Sequence, residues 1–169
     1  MMKNGDAISE VIDNLRRVFQ AINDYSKNAE KITGLTGPQL WAMKLLANAA
    51  PKKVSELARH MFLHPATVVG ILDRLESKGL VTRTRSMEDR RVVEIDLTEL
   101  GQEVVAKAPE VAQGLLVRGL EALPADQFSR VAEGMEQVVR ILGAEGITPQ
   151  PLLSAEETKA SFRNHEEAR

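Results

Sequence analysis

From Asp6 to about Lys31, apolar residues recur at helical spacing: Ile8, Val11, Ile12, Leu15, Val18, Phe19 and Ile22. Little nearby in sequence can cover that stripe, so a partner subunit or the C-terminal helices must do so. Leu35-Thr36-Gly37-Pro38-Gln39-Leu40 reads as a helix start. Thr36 can cap, Gln39 can complete a capping box, and Leu35 with Leu40 can form a hydrophobic staple. Trp41, Met43, Leu45, Leu46 and Ala49 continue this second helix, which Ala50-Pro51 should end. Val54 to Met61 predicts a third helix with Leu57, Ala58 and Met61 facing inward, and Phe62-Leu63 a turn. A fourth helix starts near His64, with Pro65 suited to its first turn, where the missing N–H is not needed. Its core positions are Val68, Ile71 or Leu72, and Leu75, and Gly79 suits the residue just past its end.

Leu80 to Arg85 and Arg91 to Leu97 then change to the period of strands. Val93, Ile95 and Leu97 alternate with Glu94 and Asp96, and Ser86 to Arg90 form the loop between the strands. Thr98 should cap a fifth helix reaching about Ala122, kinked rather than split at Pro109. Pro124 opens a sixth, striped by Phe128, Val131, Met135, Val138, Ile141 and Leu142 and closed by Gly143. From Ala144 the chain turns polar. Residues 144–169 are expected to form a mobile tail, with a short helix around Ala155 to Phe162. Helix, turn, helix and β-ribbon in that order make a winged helix-turn-helix over about 36–98. The fold class is therefore mainly α with a small β-ribbon. Residues 1–143 form one domain in which the helices at about 6–31 and 99–143 serve dimerisation. In such a unit the second helix of the pair enters a DNA major groove and the ribbon reaches the neighbouring minor groove.

Composition changes this picture in two ways. The chain has no cysteine, which excludes disulfides, thiolate metal sites and thiol redox switches. Its net charge of −2 hides an uneven distribution. Residues 52–93 carry nine Lys/Arg against five Asp/Glu, residues 94–169 seven against fourteen, and residues 1–51 six against five. Positive charge therefore collects where the wing is expected, and local charge is what attracts phosphate. Aromatic residues make up only 4%, so aliphatic side chains must fill the core. No apolar run is long enough to span a bilayer and no signal-peptide pattern opens the chain, so a cytoplasmic location is expected.

The wing carries Asp89-Arg90-Arg91, then Val92 to Asp96, then Leu97-Thr98. This matches in full the pattern Asp, any residue, Arg, five residues, Leu-Thr of the multiple antibiotic resistance regulator (MarR) family. Leu75-Glu76-Ser77-Lys78-Gly79-Leu80-Val81 resembles the same family's junction between recognition helix and wing. The element order is similar from about Asp6 to Gly143. The resemblance implies a homodimer binding a pseudo-palindromic operator on double-stranded DNA, usually as a repressor, with DNA binding weakened by a small aromatic acid or phenol. In one respect the sequence departs from the family. Its recognition helix offers the groove Pro65, Ala66, Thr67, Val69 and Gly70, which can touch thymine methyls, but only Thr67 has a side-chain hydrogen-bonding group.

Thr67, Gly70 and Arg74 share a helix face away from the core, suited to base contact, close backbone approach and phosphate contact respectively. A glycine there costs roughly 1 kcal/mol against alanine, which needs a reason. Ser55 and Lys53, at the start of the third helix, suit either phosphate or simple capping. Arg83 and Arg85 alternate on the first wing strand and so point to one side, as phosphate contacts would. By the same alternation, Asp89 and Arg91 are expected to pair and brace the wing while Arg90 points outward, and the resemblance places Arg90 in the minor groove. His60 and His64 are four apart, but the turn between them argues against a metal pair, and His165 is remote. Arg16 and Arg17 with Trp41 suit an effector pocket, or equally a solvated face and core packing; the resemblance puts such a pocket between the dimer helices and the DNA-binding lobe. No catalytic constellation is present, so neither an enzyme nor a cofactor is expected. A winged-helix protein-interaction module without specific DNA binding is the alternative.

Overall fold

The computed structural model describes residues 4–50, 52–87 and 89–152. Within them the chain is mainly helical with one small antiparallel sheet. Helix α1 (Asn4–Thr33) is followed by α2 (Gly37–Asn48), β1 (Lys52–Lys53), α3 (Val54–Met61), α4 (Pro65–Ser77), β2 (Val81–Arg85) and β3 (Val93–Leu97). Three further helices complete the described chain: α5 (Glu99–Ala106), α6 (Ala112–Glu121) and α7 (Ala125–Ile141).

The expected helix starts are built as the sequence implies. Thr36 accepts from the Gln39 amide at 3.4 Å while Gln39 Oε1 accepts from the Thr36 amide at 3.2 Å, a complete capping box. Both staple residues, Leu35 and Leu40, are buried. Helix α3 ends at Phe62, a non-glycine residue at φ 55°, and Gly79, at φ 69°, turns the chain out of α4. Leu57, Ala58, Met61, Val68, Ile71, Leu72 and Leu75 pack with Leu40, Met43, Leu46, Val81, Ile95 and Leu97 into one core. This core orients α4 against the sheet.

Three expectations require correction. The ribbon has a third strand, because Lys52 and Lys53 pair antiparallel with Ile95 and Glu94, giving the order β1-β3-β2. Two lysines carry no periodicity, so the pairing was invisible until β3 lay beside them. Second, Pro109 splits the expected fifth helix. Helix α5 stops at Ala106 and α6 begins at Ala112, with Val111 extended and buried between them. Proline removes an N–H and pushes the preceding residue away from helical angles, while burial of Val111 in the core rewards the break. Third, Pro151 and Leu152, assigned to a polar tail, are half-buried, and Leu152 lies beside Gly37, Ser26 and Val111. Pro51 and the short helix expected around Ala155 to Phe162 lie outside the described residues.

The base of the wing is a tight junction. Thr98 Oγ1 donates to the Gly79 carbonyl at 2.7 Å and accepts from the Gly101 amide at 3.0 Å, and the Thr98 amide donates to Leu80 O at 3.1 Å. A Cβ on Gly101 would lie 2.1 Å from Leu80 O, so only glycine allows α5 to start here. Gly114 similarly gives way to the Trp41 ring, which a Cβ would approach to 2.6 Å.

Candidate nucleic-acid interface

Helix α4 buries Val68, Ile71, Leu72 and Leu75 and turns the opposite face outward. Pro65, Ala66, Val69, Gly70 and Arg74 are exposed and Thr67 is half-buried. Nothing lies within 4 Å of a Cβ built on Gly70, so packing within the chain does not demand glycine there. The helix starts at Pro65 behind His64, whose Nδ1 accepts from the Ala66 amide at 3.2 Å and is therefore the unprotonated ring nitrogen. His60 is in the opposite state: its Nδ1 lies 2.8 Å from the Glu56 carbonyl and donates to it. The two histidines thus serve separate backbone groups. Among the described residues no group of three or more His, Cys, Asp or Glu side chains is placed to hold a metal ion.

Ser55 is exposed in the first turn of α3. The cap there is made from within the helix, by Glu56 Oε2 accepting from the Lys53 amide at 3.1 Å, which leaves Ser55 out of the capping. Along the wing, Arg85 and Arg90 are exposed, and neither has an ion-pair partner among the described residues. Arg83 differs from them. It points from β2 onto α4, where Nη2 lies 2.6 Å from Asp73 Oδ1 and Nη1 3.0 Å from Glu76 Oε2. Strand alternation could not see the two carboxylates on a helix seven and ten residues away.

The expected ion pair of Asp89 with Arg91 is replaced by a backbone turn. Asp89 Oδ1 accepts from the Arg91 amide at 2.9 Å, and the Asp89 carbonyl accepts from the Val92 amide at 2.9 Å. Alternation fails because residues 89–92 form a turn, not a strand, and aspartate is suited to accept from the amide two residues on. Asp89 closes this turn through its side chain and its carbonyl, and Arg91 takes part through its backbone amide.

Trp41 is buried, and its Nε1 has no hydrogen-bond partner among the described residues. Its ring walls a cleft of about 360 Å³ formed with Leu45 and Asn48 of α2, Arg59, His60 and Phe62 at the end of α3, and Arg118 of α6. Arg16 is not part of this cleft. It lies exposed on α1, paired with Asp13 at 2.9 Å, and Arg17 bonds Asn14. Arg118 bonds Glu110 at 2.8 Å, and this bond, helped by the charge of Lys44, holds the Glu110 carboxyl below the usual carboxylate range against slight desolvation. The cations at the cleft, Arg59 and Arg118, were missed because they belong to elements that meet only in the fold.

A helix-turn-helix with a basic, three-stranded wing defines a winged-helix, DNA-binding class of protein. Residues 35–93 match the model of the MarR family. The chain is 30% identical over 132 residues to the transcriptional repressor MdtR of Bacillus subtilis, covering 78% of this chain and 85% of that one. Its fold is similar to that of reduced AbfR bound to DNA (27% identity, TM-score 0.50, 82% of this chain and 93% of that one). It is also similar to a MepR-like protein complexed with pseudoligands (26% identity, TM-score 0.52, 83% and 97%). The chain belongs to the MarR family of transcriptional regulators. No helix among the described residues is long and apolar enough to cross a membrane.

Proposed function

We propose that this chain is a homodimeric repressor that binds a pseudo-palindromic operator and is released by a small aromatic or phenolic effector. The observation that carries the DNA part is the uncovered face of α4 beside Arg85 and Arg90, cations with no ion-pair partner among the described residues. Thr67 reads a base edge, Gly70 with Pro65 and Ala66 lets the backbone approach thymine methyls, and Arg74, Arg85 and Ser55 hold phosphates. Arg90 enters the minor groove, where a narrow A·T-rich tract strengthens its attraction. The repressor role is supported by the name of the B. subtilis relative. Titration of a duplex from the promoter of its own gene tests this reading: binding should fall steeply with salt. Weak binding, indifferent to sequence, would favour the protein-interaction module instead.

Dimerisation is supported by apolar surface that the chain leaves uncovered. Phe128, Val131 and Met135 of α7 are all at least 43% exposed. A groove of about 410 Å³ between α1 and α6 is lined by Val18, Ile22, Leu115, Leu116 and Leu120 among others, with almost no polar surface. A second copy covers these faces, and residues 1–143 form the unit that assembles. Sedimentation at micromolar concentration should give twice 18.6 kDa; a stable monomer would rule it out.

The effector enters the Trp41 cleft, where the indole face stacks on an aromatic ring and Arg59, which has no ion-pair partner among the described residues, receives its carboxylate or phenolate. Occupying a cleft that touches α3 favours lobe spacings that no longer fit successive major grooves. Trp41 is the only tryptophan of the chain, so its fluorescence reports entry directly. A panel of aromatic acids that changes neither this emission nor operator binding would reject the cleft.

A further inference from the structure

The base of β2 is held to α4 by the Gly79 turn, the Thr98 junction and the core packing of Val81. Further along the strand Arg83, whose side chain is only 26% exposed, adds a polar link to α4. Its register partner on β3 is Ile95, fully buried in the core, so the arginine rises from the rigid part of the strand. Asp73 and Glu76, three residues apart, sit on one flank of α4 and each receives a different guanidinium nitrogen. Two carboxylates on a helix meant for a polyanion repel it unless something requires them. An arginine that binds both is in turn unavailable to phosphate. Both facts have one explanation if the three side chains set geometry.

We propose that Arg83 is a specificity-determining positioning residue: by bonding Asp73 and Glu76 through separate nitrogens it fixes the angle between the recognition helix and the wing. It contacts no phosphate. A planar guanidinium can hold two carboxylates in fixed directions, which a lysine ammonium cannot. With that angle set, α4 and Arg90 meet adjacent major and minor grooves together only on DNA whose groove widths match. This rests on the DNA-binding reading above and adds to it the residue that aligns its two contact elements.

The test compares a duplex from the chain's own promoter with an unrelated duplex of equal length, using Asp73→Asn/Glu76→Gln, Arg83→Ala and Arg83→Lys. Removing two negative charges should tighten binding to the unrelated duplex. The preference for the promoter duplex should nevertheless fall roughly tenfold, on the order of one degraded base contact. Arg83→Ala should lose a similar preference, and Arg83→Lys should recover little of it despite keeping the charge. If Asp73→Asn/Glu76→Gln tightens both duplexes equally, the positioning role is overturned. Should Arg83→Ala fail to fold, the carboxylate variant still decides. If the wild type itself fails to prefer its promoter, the DNA reading fails, and amide exchange judges the clamp separately: β2 amides from Val81 to Arg85 should exchange faster in Asp73→Asn/Glu76→Gln, and unchanged exchange overturns it.

Discussion

The winged lobe and the terminal helices are made of similar residues and solve burial in opposite ways. Between Leu35 and Leu97 the apolar side chains close on one another, and ten of them, from Leu35 to Ile95, are among the largest fully buried side chains of the described residues. Helix α7 buries no residue at all, and on α1 Ile8 and Phe19 are 63% and 66% exposed. Yet the apolar stripe of α7 is more regular than that of α4, which is buried in the lobe. Amphipathic pattern therefore identifies a face that must be covered, while only the tertiary structure says whether the covering atoms belong to the same chain.

That contrast can be broken at several points. The largest effect on stability is expected in the lobe. Leu72→Ala, at a fully buried position, should cost about 2–5 kcal/mol and lower the melting temperature equally at every protein concentration. Val131→Asp with Met135→Asp should leave the lobe's packing intact. Its signature is different: sedimentation shifts to the monomer, and the melting temperature loses its dependence on concentration. A concentration-dependent melting temperature in that variant would mean α7 is not the assembling surface.

Thr98→Ala should come next, at about 1 kcal/mol for the cap plus the lost bond to Gly79. Asp89→Ala should leave the melting temperature nearly unchanged but weaken operator binding by loosening the turn at the wing tip. Arg90→Ala should also leave the fold untouched, lower operator affinity and flatten its salt dependence by roughly one unit of slope per wing. Binding equal to wild type at every salt concentration would remove Arg90 from the interface. Arg91→Ala should have the smallest structural effect, because its backbone amide, not its guanidinium, supports the turn.

The parts of the fold legible in the sequence are those governed by neighbours in sequence. The Thr36–Gln39 capping box, the Val54–Met61 helix, the start at Pro65 and the exit at Gly79 all follow from residues within four positions of one another. What escaped depended on distant segments. Lys52 and Lys53 become a strand only because β3 passes beside them. Pro109 breaks its helix because Val111 has a core to enter. Of the candidate interface, the exposed face of α4 was readable from periodicity, whereas at the wing tip the strand period misassigned Asp89 and Arg91, which lie in a turn. The partners of Arg83 and the placement of Arg59 and Arg118 around Trp41 were not, since each joins elements that no local pattern links.

The Thr98 junction also bears on the order of events during synthesis. It ties Thr98 to Gly79 across nineteen residues, a short loop whose closure is fast and entropically cheap. All the strands and the helices α2 to α4 precede it, so the lobe can close while α7 is still being made. Association must wait for that last helix and is second order in chain concentration. Refolding should accordingly separate into a fast phase independent of dilution and a slower one that dilution retards.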